Sequence, residues 1–524
     1  MNPAPPPAAA PAWPLSPPLR SPVAQPLVWL LALCLAHVLV RLAASPALKW
    51  DEAEQMLWSQ QLAWGYGAQP PLYTWLQWGV NQVLGPSVLA LSLLKHSLLA
   101  LTYIFMWLAG RELLGPRGAW WASASMLLMP ALGWHSVRDQ THTILVTAMT
   151  CAAWWLLLRL ARRPRASDFA WLGAVCAAGL LAKYSFALVM AAMLAAALSV
   201  PHTRRALFAR GWWWAPVVGT LLVLPHGLWL LAHMQEATTG TLDKMQLRQS
   251  LGAGLLSLVS VVLGLLTLWA LVALWAFRGA WWRRPLAPAA PWAHTLFVRY
   301  VALVLLALLG MVLLAGVSSF KGRWVLPLLC MVPLAAFAAR PELQQHPRAR
   351  HYSGAVVAVA LVLLAAAGLR PWLSGWRGDA DELNHPIVEL AAALRAQGYD
   401  GTSPIVAADH MLAGMLRTRF ASVRVSACAT EENRVADCVA QHVQAAQAAG
   451  QGVLLISRQD RPAPDWWAQA RAQTPLPPEQ ALQLPFNKMR AGTPPALYHW
   501  VWLPAAPAPA APALPASSAL PDRP

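Results

Sequence analysis

A carboxylate pair follows the first long apolar run, in Trp50-Asp51-Glu52-Ala53-Glu54, and an amphipathic stretch continues from it to Trp64. A carboxylate fixed at the head of a helix can take a proton from an attacking hydroxyl or amine, which is general-base chemistry. Gln69 and Tyr73 follow in Gly65-Tyr66-Gly67-Ala68-Gln69-Pro70-Pro71-Leu72-Tyr73, then Arg138, Asp139 and His142, then Lys183-Tyr184, and finally Lys321-Gly322-Arg323. The cations in this set are what an anionic leaving group needs, because negative charge grows on it as its bond breaks.

Each of these signals also has a plainer reading. Asp51-x-x-Glu54 is a capping-box pattern, in which carboxylates satisfy the free N–H groups of a helix start. Lys183 ends a run of Ala, Gly and Leu and can snorkel to a membrane interface. Lys321-Gly322-Arg323-Trp324 has the composition of an interfacial anchor, and Arg138 beside Asp139 forms a local ion pair as readily as a site. His142, at a helix start, suits a cap or an interfacial contact as well as a ligand. Asp51, Asp139 and His142 are able to hold a divalent metal, but their spacing gives it no support, so no metal and no other cofactor is assigned. His226 and His233, seven residues apart, share a helical face, which suits haem or a proton path, or simply satisfied polar contacts.

The elements that must position these groups are dictated by composition. Hydrophobic residues make up 57% of the 524 residues and charged residues 12%, about half the charged share of a soluble domain. Lipid must therefore solvate most of the chain. Apolar runs fall near 27–45, 87–109, 118–134, 142–160, 168–182, 186–200, 212–232, 251–277, 296–317, 325–339 and 353–370. That pattern predicts a polytopic α-helical membrane protein with about eleven transmembrane helices. Many of the 30 Trp residues flank these runs, at the depth amphipathic rings prefer. The net charge of +17 comes largely from Arg and Lys in the short links. It is a topology signal, and nucleic acid is not an expected partner.

Alternate links carry the positive charge: Arg111 and Arg117; Arg159, Arg162, Arg163 and Arg165; Arg204, Arg205 and Arg210; Arg278, Arg283 and Arg284; Arg340, Arg348 and Arg350. The opposite links, with Lys49, Arg138, Lys183, Lys244, Arg248, Lys321 and Arg323, are poorer. The positive-inside bias puts the N-terminus in the cytoplasm and the region after Arg370 in the periplasm of a bacterial inner membrane. The organisation expected is a disordered Pro/Ala-rich segment at 1–26, a transmembrane catalytic domain at 27–370, a small α/β periplasmic domain at 371–504 and a Pro/Ala-rich tail at 505–524. Within the small domain, 386–397 and Glu431–Ala448 read as helices, and Ile405–Ala408, Gly452–Ile456 and Ala496–Leu503 as strands. Cys428 and Cys438 can pair there if the compartment is oxidising.

Asp51-Glu52 after a first spanning helix, followed by Gly65-Tyr66 and Gln69-Pro70-Pro71-Leu72-Tyr73, resembles the first periplasmic loop of the GT-C glycosyltransferases. The nearest group is the protein O-mannosyltransferase and aminoarabinose-transferase-like family. Arg138-Asp139-Gln140-Thr141-His142 and Gly179-Leu180-Leu181-Ala182-Lys183-Tyr184 resemble it as well. The resemblance implies transfer of a sugar from a polyprenyl-phosphate carrier to a lipid, protein or glycan acceptor on the outer face. It assigns catalysis to Asp51, with Glu52 orienting the acceptor or tuning Asp51. Aminoarabinose-transferase-like members usually carry Lys before the Pro-Pro pair, where this chain has Gln69, so Lys183, Lys321, Arg323 and Arg138 are the candidate phosphate contacts. A transporter or lipid flippase is the alternative, but no internal repeat is visible and the polar residues gather at one face.

Overall fold

The computed structural model describes residues 25–235, 237, 245, 250–283, 287–429, 434–459 and 465–505. The expectations for 1–24, Lys244, Arg248, Arg284, 431–433 and most of the C-terminal tail lie outside the described residues.

Along the chain the first helices are α1 (Gln25–Ala44), α2 (Trp50–Trp58), α3 (Leu72–Leu84), α4 (Val88–Leu113), α5 (Pro116–Ser125) and α6 (Thr141–Arg162). They are followed by α7 (Ala166–Ala182), α8 (Phe186–Ser199), α9 (Pro201–Leu207), α10 (Trp214–Ala232), α11 (Leu251–Ala276), α12 (Pro291–Leu313), α13 (Gly322–Leu329), α14 (Val332–Ala339) and α15 (Ala349–Arg377). The polar ends are set by local chemistry. Ser87 and Ser250 accept hydrogen bonds from Ala90 N and Ala253 N at the heads of α4 and α11, and Pro opens α5, α9 and α12, where a missing N–H costs nothing.

Among the described residues, eight helical segments are long and apolar enough to cross a membrane, or nine with α8 and α9, which meet at a 111° bend, taken as one. The remaining apolar runs read from the sequence are present in shorter form. The run 168–182 is the 17-residue α7. The run 118–134 breaks into α5, a 3-10 turn at Met126–Leu128 and a π-helical turn at Ala131–Ser136. Pro130, just before the π turn, has no N–H to continue the ladder. Periodicity cannot show such breaks, because they change the backbone and leave the apolar composition intact.

The molecule divides into two compact units, residues 1–45 with 61–370 and residues 46–60 with 371–524. In the first, α6 is the central helix: 83% of its apolar window is buried, against 6% for α10. A helix apolar all round but bare on most sides has lipid as its natural neighbour. Trp154 of α6 stands edge-on to Tyr300, and Trp121 edge-on to Tyr352; all four are fully buried.

The second unit holds α2, α16 (Ile387–Ala396), α17 (His410–Arg417), α18 (Val435–Ala448) and α19 (Trp466–Arg471), with strands β1 (Ile405–Ala407), β2 (Val425–Ala427), β3 (Val453–Arg458), β4 (Gln480–Leu484) and β5 (Ala496–Leu503). The sheet order is β2-β1-β3-β5-β4. β1 runs parallel to β2 and β3, with Val406 opposite Ser426 and Leu455, and β5 runs antiparallel to β3 and β4. All six residues of β3 are buried, as befits a central strand covered on both faces. Val406, Val439, Leu455, Trp466 and Val501 form the core. Cys428 and Cys438 are joined in a disulfide, which in the chain-entropy account contributes about 3 kcal/mol for so short a loop.

The link 46–60, which the sequence reading places in the membrane domain, packs instead within this second unit. α2 buries Glu52, Ala53, Gln55 and Met56. Gly414 of α17 lies so close that a Cβ there would sit 2.3 Å from Ala53 O. Only glycine permits that approach.

Candidate active site

The second unit positions Asp51 and Glu52. Lys49 is the N-cap of α2, so Asp51 falls in the first turn, half-buried, and Glu52 is the residue that reaches back. The Glu52 carboxylate accepts the Lys49 N–H at 3.1 Å. Glu54 is instead engaged by the Trp50 indole N–H at 3.1 Å. The capping pattern is therefore real but in a different frame from Asp51-x-x-Glu54, and Asp51 is not its cap. Carboxylates at a helix start also complement the helix dipole. The Lys49 side chain is only 7% exposed; its ammonium bonds Asp381 at 3.0 Å and also Glu382.

Deeper in the same unit Arg458, 2% exposed, meets Asp409 through Nε and Nη2 at 2.9 and 3.2 Å. Asp409 also caps α17, accepting from Met411 N and Leu412 N. Arg458 donates to His385 Nε2 at 3.3 Å, which leaves Nδ1–H of His385 to donate to Tyr498 at 3.1 Å. The polar side chains of this cluster bond to one another. Sequence reading did not find it, because its bonded pairs lie 49 to 113 residues apart.

In the first unit the other candidates gather where α6 and α8 begin and α7 ends. Tyr73, fully buried in the first turn of α3, packs its ring 5.4 Å from that of His142. His142 Nδ1–H donates to Ala182 O at 3.2 Å, and the Lys183 ammonium donates to the Thr143 hydroxyl at 2.9 Å. Thus α6 holds the end of α7 by two side-chain contacts, and Lys183 stands against the first turn of α6. Tyr184 stacks on His226 of α10 with rings 5.9 Å apart, and its hydroxyl donates to His226 Nε2 at 3.3 Å. His226 Nδ1–H in turn donates to Trp64 O at 2.6 Å. His226 thus takes the polar contacts that its spacing allowed, and it belongs to this cluster.

Gln69 contributes through its backbone, pairing with Tyr66 across a tight turn that has Gly67 at φ +57°. Burial pushes the Tyr66 phenol above its usual range, an effect the hydrogen bond from Ala63 N opposes. The Arg138 guanidinium lies 5.0 Å over the Trp134 ring, and Gln140 adopts a left-handed φ of 69° just before α6. Lys321 and Arg323 flank Gly322 at the start of α13. Gly322 stands against Ala131 of the π turn, 3.7 Å away for a Cβ, and the Lys321 ammonium lies 5.9 Å from the Trp324 ring.

An apolar groove of about 910 Å³ opens between α7, α8 and α10, and its lining includes Leu180, Met193, Phe208, Trp212, Leu228 and Leu231. Leu180 precedes Lys183 by three residues and Leu228 follows His226 by two. Among the described residues, the one group of three His, Cys, Asp or Glu side chains close enough to share a metal ion is Cys428, Cys438 and His442, and its two sulfurs are bonded to each other.

Residues 68–229 match the family model described as dolichyl-phosphate-mannose-protein mannosyltransferase. The chain is 32% identical over 414 residues to the lipopolysaccharide core galacturonosyltransferase RgtB of Rhizobium johnstonii, covering 76% of this chain and 82% of the relative. It is 28% identical to RgtA of the same organism, a second lipopolysaccharide core galacturonosyltransferase, over 74% of this chain and 79% of that one. Its fold follows the crystal structure of ArnT from Cupriavidus metallidurans bound to undecaprenyl phosphate, with a TM-score of 0.57 at 13% identity over 90% of this chain and 97% of ArnT. Kinship that runs through most of both chains settles the broader question the first loop raised: this multi-pass membrane protein belongs to the GT-C superfamily of glycosyltransferases.

Proposed function

We propose that the chain transfers a hexuronic acid of the galacturonate type from a polyprenyl-phosphate carrier to a sugar of lipopolysaccharide, on the periplasmic face of a bacterial inner membrane. The observation that carries this reading is the gathering of Tyr73, His142, Thr143, Lys183, Tyr184 and His226 at one end of the helices, beside an apolar groove. The galacturonosyltransferase relatives support the sugar and the acceptor, and the ArnT complex supports the carrier. The charge of the links supports the orientation, with the N-terminus cytoplasmic and the second unit periplasmic.

A uronic acid brings its own carboxylate beside the carrier phosphate, so this donor is more anionic than a neutral sugar. Lys183, the partial positive charge at the first turn of α6, Lys321 and Arg323 are the groups assigned to that charge. With Gln69 neutral, they replace the lysine usual before the Pro-Pro pair. Asp51 takes the proton of the acceptor hydroxyl, whose oxygen attacks the anomeric carbon. The bond from that carbon to the phosphate oxygen breaks with its electron pair leaving on the phosphate, and configuration inverts. Glu52, which accepts the Lys49 N–H, fixes the turn that carries Asp51.

The test is Asp51→Asn in the full-length protein, reconstituted with a polyprenyl-phosphate-linked galacturonic acid and a lipopolysaccharide acceptor. Loss of a general base predicts a fall in transfer of about 10²- to 10⁴-fold with an unchanged melting temperature. Undiminished transfer by the variant removes Asp51 from the mechanism.

A further inference from the structure

Beside the clustered residues, in the same unit, lies a second cavity of about 540 Å³ lined by Leu62, Ala63, Trp64, Trp75, Trp78 and Gly79. Its walls are built rather than draped. Trp75 Nε1–H donates to Ala63 O at 2.8 Å, Ala63 N–H donates to the Tyr66 hydroxyl at 2.9 Å, and that hydroxyl donates to Gln61 O at 2.7 Å. Trp64 O accepts from His226 at 2.6 Å. Gly65 lies flat on the Trp229 indole, where a Cβ would come within 2.2 Å of the ring. Five contacts thus hold a loop whose chief product is a Trp64 indole 55% exposed, edge-on to Trp75 with ring centres 5.7 Å apart.

Burying an indole is among the larger gains a loop can make, yet this loop spends its hydrogen bonds keeping one open. Among the described residues, neither Trp64 nor Trp78 gives its indole N–H to a protein acceptor. An open apolar ring face beside an available N–H donor matches a pyranose, whose C–H face stacks on an indole while its hydroxyls accept hydrogen bonds. The cavity has the volume of a small-ligand site. A hydrogen-bond chain from Trp64 O through His226 to Tyr184 ties its wall to the clustered residues.

We infer that this tryptophan-lined cavity is the acceptor subsite, binding a pyranose of the acceptor glycan next to the one that receives the transferred sugar. The inference rests on the transferase reading for its role, but the binding itself can be measured without turnover. The probe is a delipidated lipopolysaccharide core oligosaccharide, titrated against the full-length protein in detergent while tryptophan fluorescence is followed. Saturable quenching is expected, weakened about tenfold by Trp64→Ala and by Trp78→Ala and largely kept by Trp64→Phe. In turnover, Trp64→Ala is expected to raise the acceptor KM about tenfold and to leave the donor KM within twofold. No saturable quenching by the oligosaccharide, or equal quenching by phospholipid vesicles without glycan, overturns the subsite and makes these rings membrane anchors. Binding that depends on Trp64 in a protein that transfers nothing keeps the subsite and overturns the transferase proposal instead.

Discussion

Lys49 and Lys183 both stand where a helix begins, and the two units treat them differently. Lys49 is the N-cap of α2, at the positive end of the helix dipole, and is almost wholly buried. Such a position is hostile to a cation, and the second unit answers it with Asp381 and Glu382. Lys183, at the carboxyl end of α7, stands against the first turn of α6 and donates to the Thr143 hydroxyl. The first arrangement neutralises its charge for the sake of the fold. The second gathers positive potential at a helix start, the usual setting for an anion. On the function proposed above, the difference separates a structural lysine from a ligand-binding one, although both lie in links of the same kind in the sequence.

Three experiments can break or sharpen that contrast. Lys49→Met leaves the Asp381 and Glu382 carboxylates without their cation and is expected to cost about 3 kcal/mol of stability, read as a lower melting temperature of the full-length protein. Adding Asp381→Asn should restore part of it. Lys183→Met is expected to reduce transfer by about 10²-fold or somewhat more while the melting temperature barely moves. If Lys183→Met instead melts the protein and Lys49→Met only slows it, the assignment of the two lysines is reversed. The smallest effect concerns acid. Burial, and then the charge of Arg424, hold His442 in the second unit below the usual histidine range. A group lowered on folding favours the folded state while it is neutral, so its contribution is complete above about pH 6.5 and is lost as pH falls below that. The melting temperature should therefore decline modestly from pH 7 to pH 5.5, and His442→Gln should flatten the decline.

The spanning helices were legible because twenty apolar residues in a row admit few other structures, and α6, α10, α11 and α12 lie close to where composition put them. The short pieces were not, since Pro130 and the π turn alter hydrogen bonding without altering hydropathy. In the second unit the expected helix at 386–397 is α16, and the expected strands at 405–408, 452–456 and 496–503 are β1, β3 and β5. β2 and β4 went unread. β2 is three residues long, and β4 is largely exposed on the sheet edge, so neither carries the continuous apolar run that marks a buried strand. For the candidate site, residue type and the family resemblance singled out His142, Tyr73 and Lys183, which the fold brings together. The frame of the α2 cap was beyond reach, because Asp51, Glu52 and Glu54 are equivalent until the position of the first helical turn is known. So were the ties of Lys49 to Asp381 and Glu382, which span more than 330 residues.

The bond between Cys428 and Cys438 links the molecule to its own biogenesis. Sulfur bridges endure where thiols are kept oxidised, away from the reducing interior of a cell. The unit that carries α2 also contains residues from the far end of the chain, so α2 must wait for more than three hundred residues to be made before its partners exist. Folding of the segment bearing Asp51 is thereby a late event, completed only after the last spanning helix and the residues beyond it have been made.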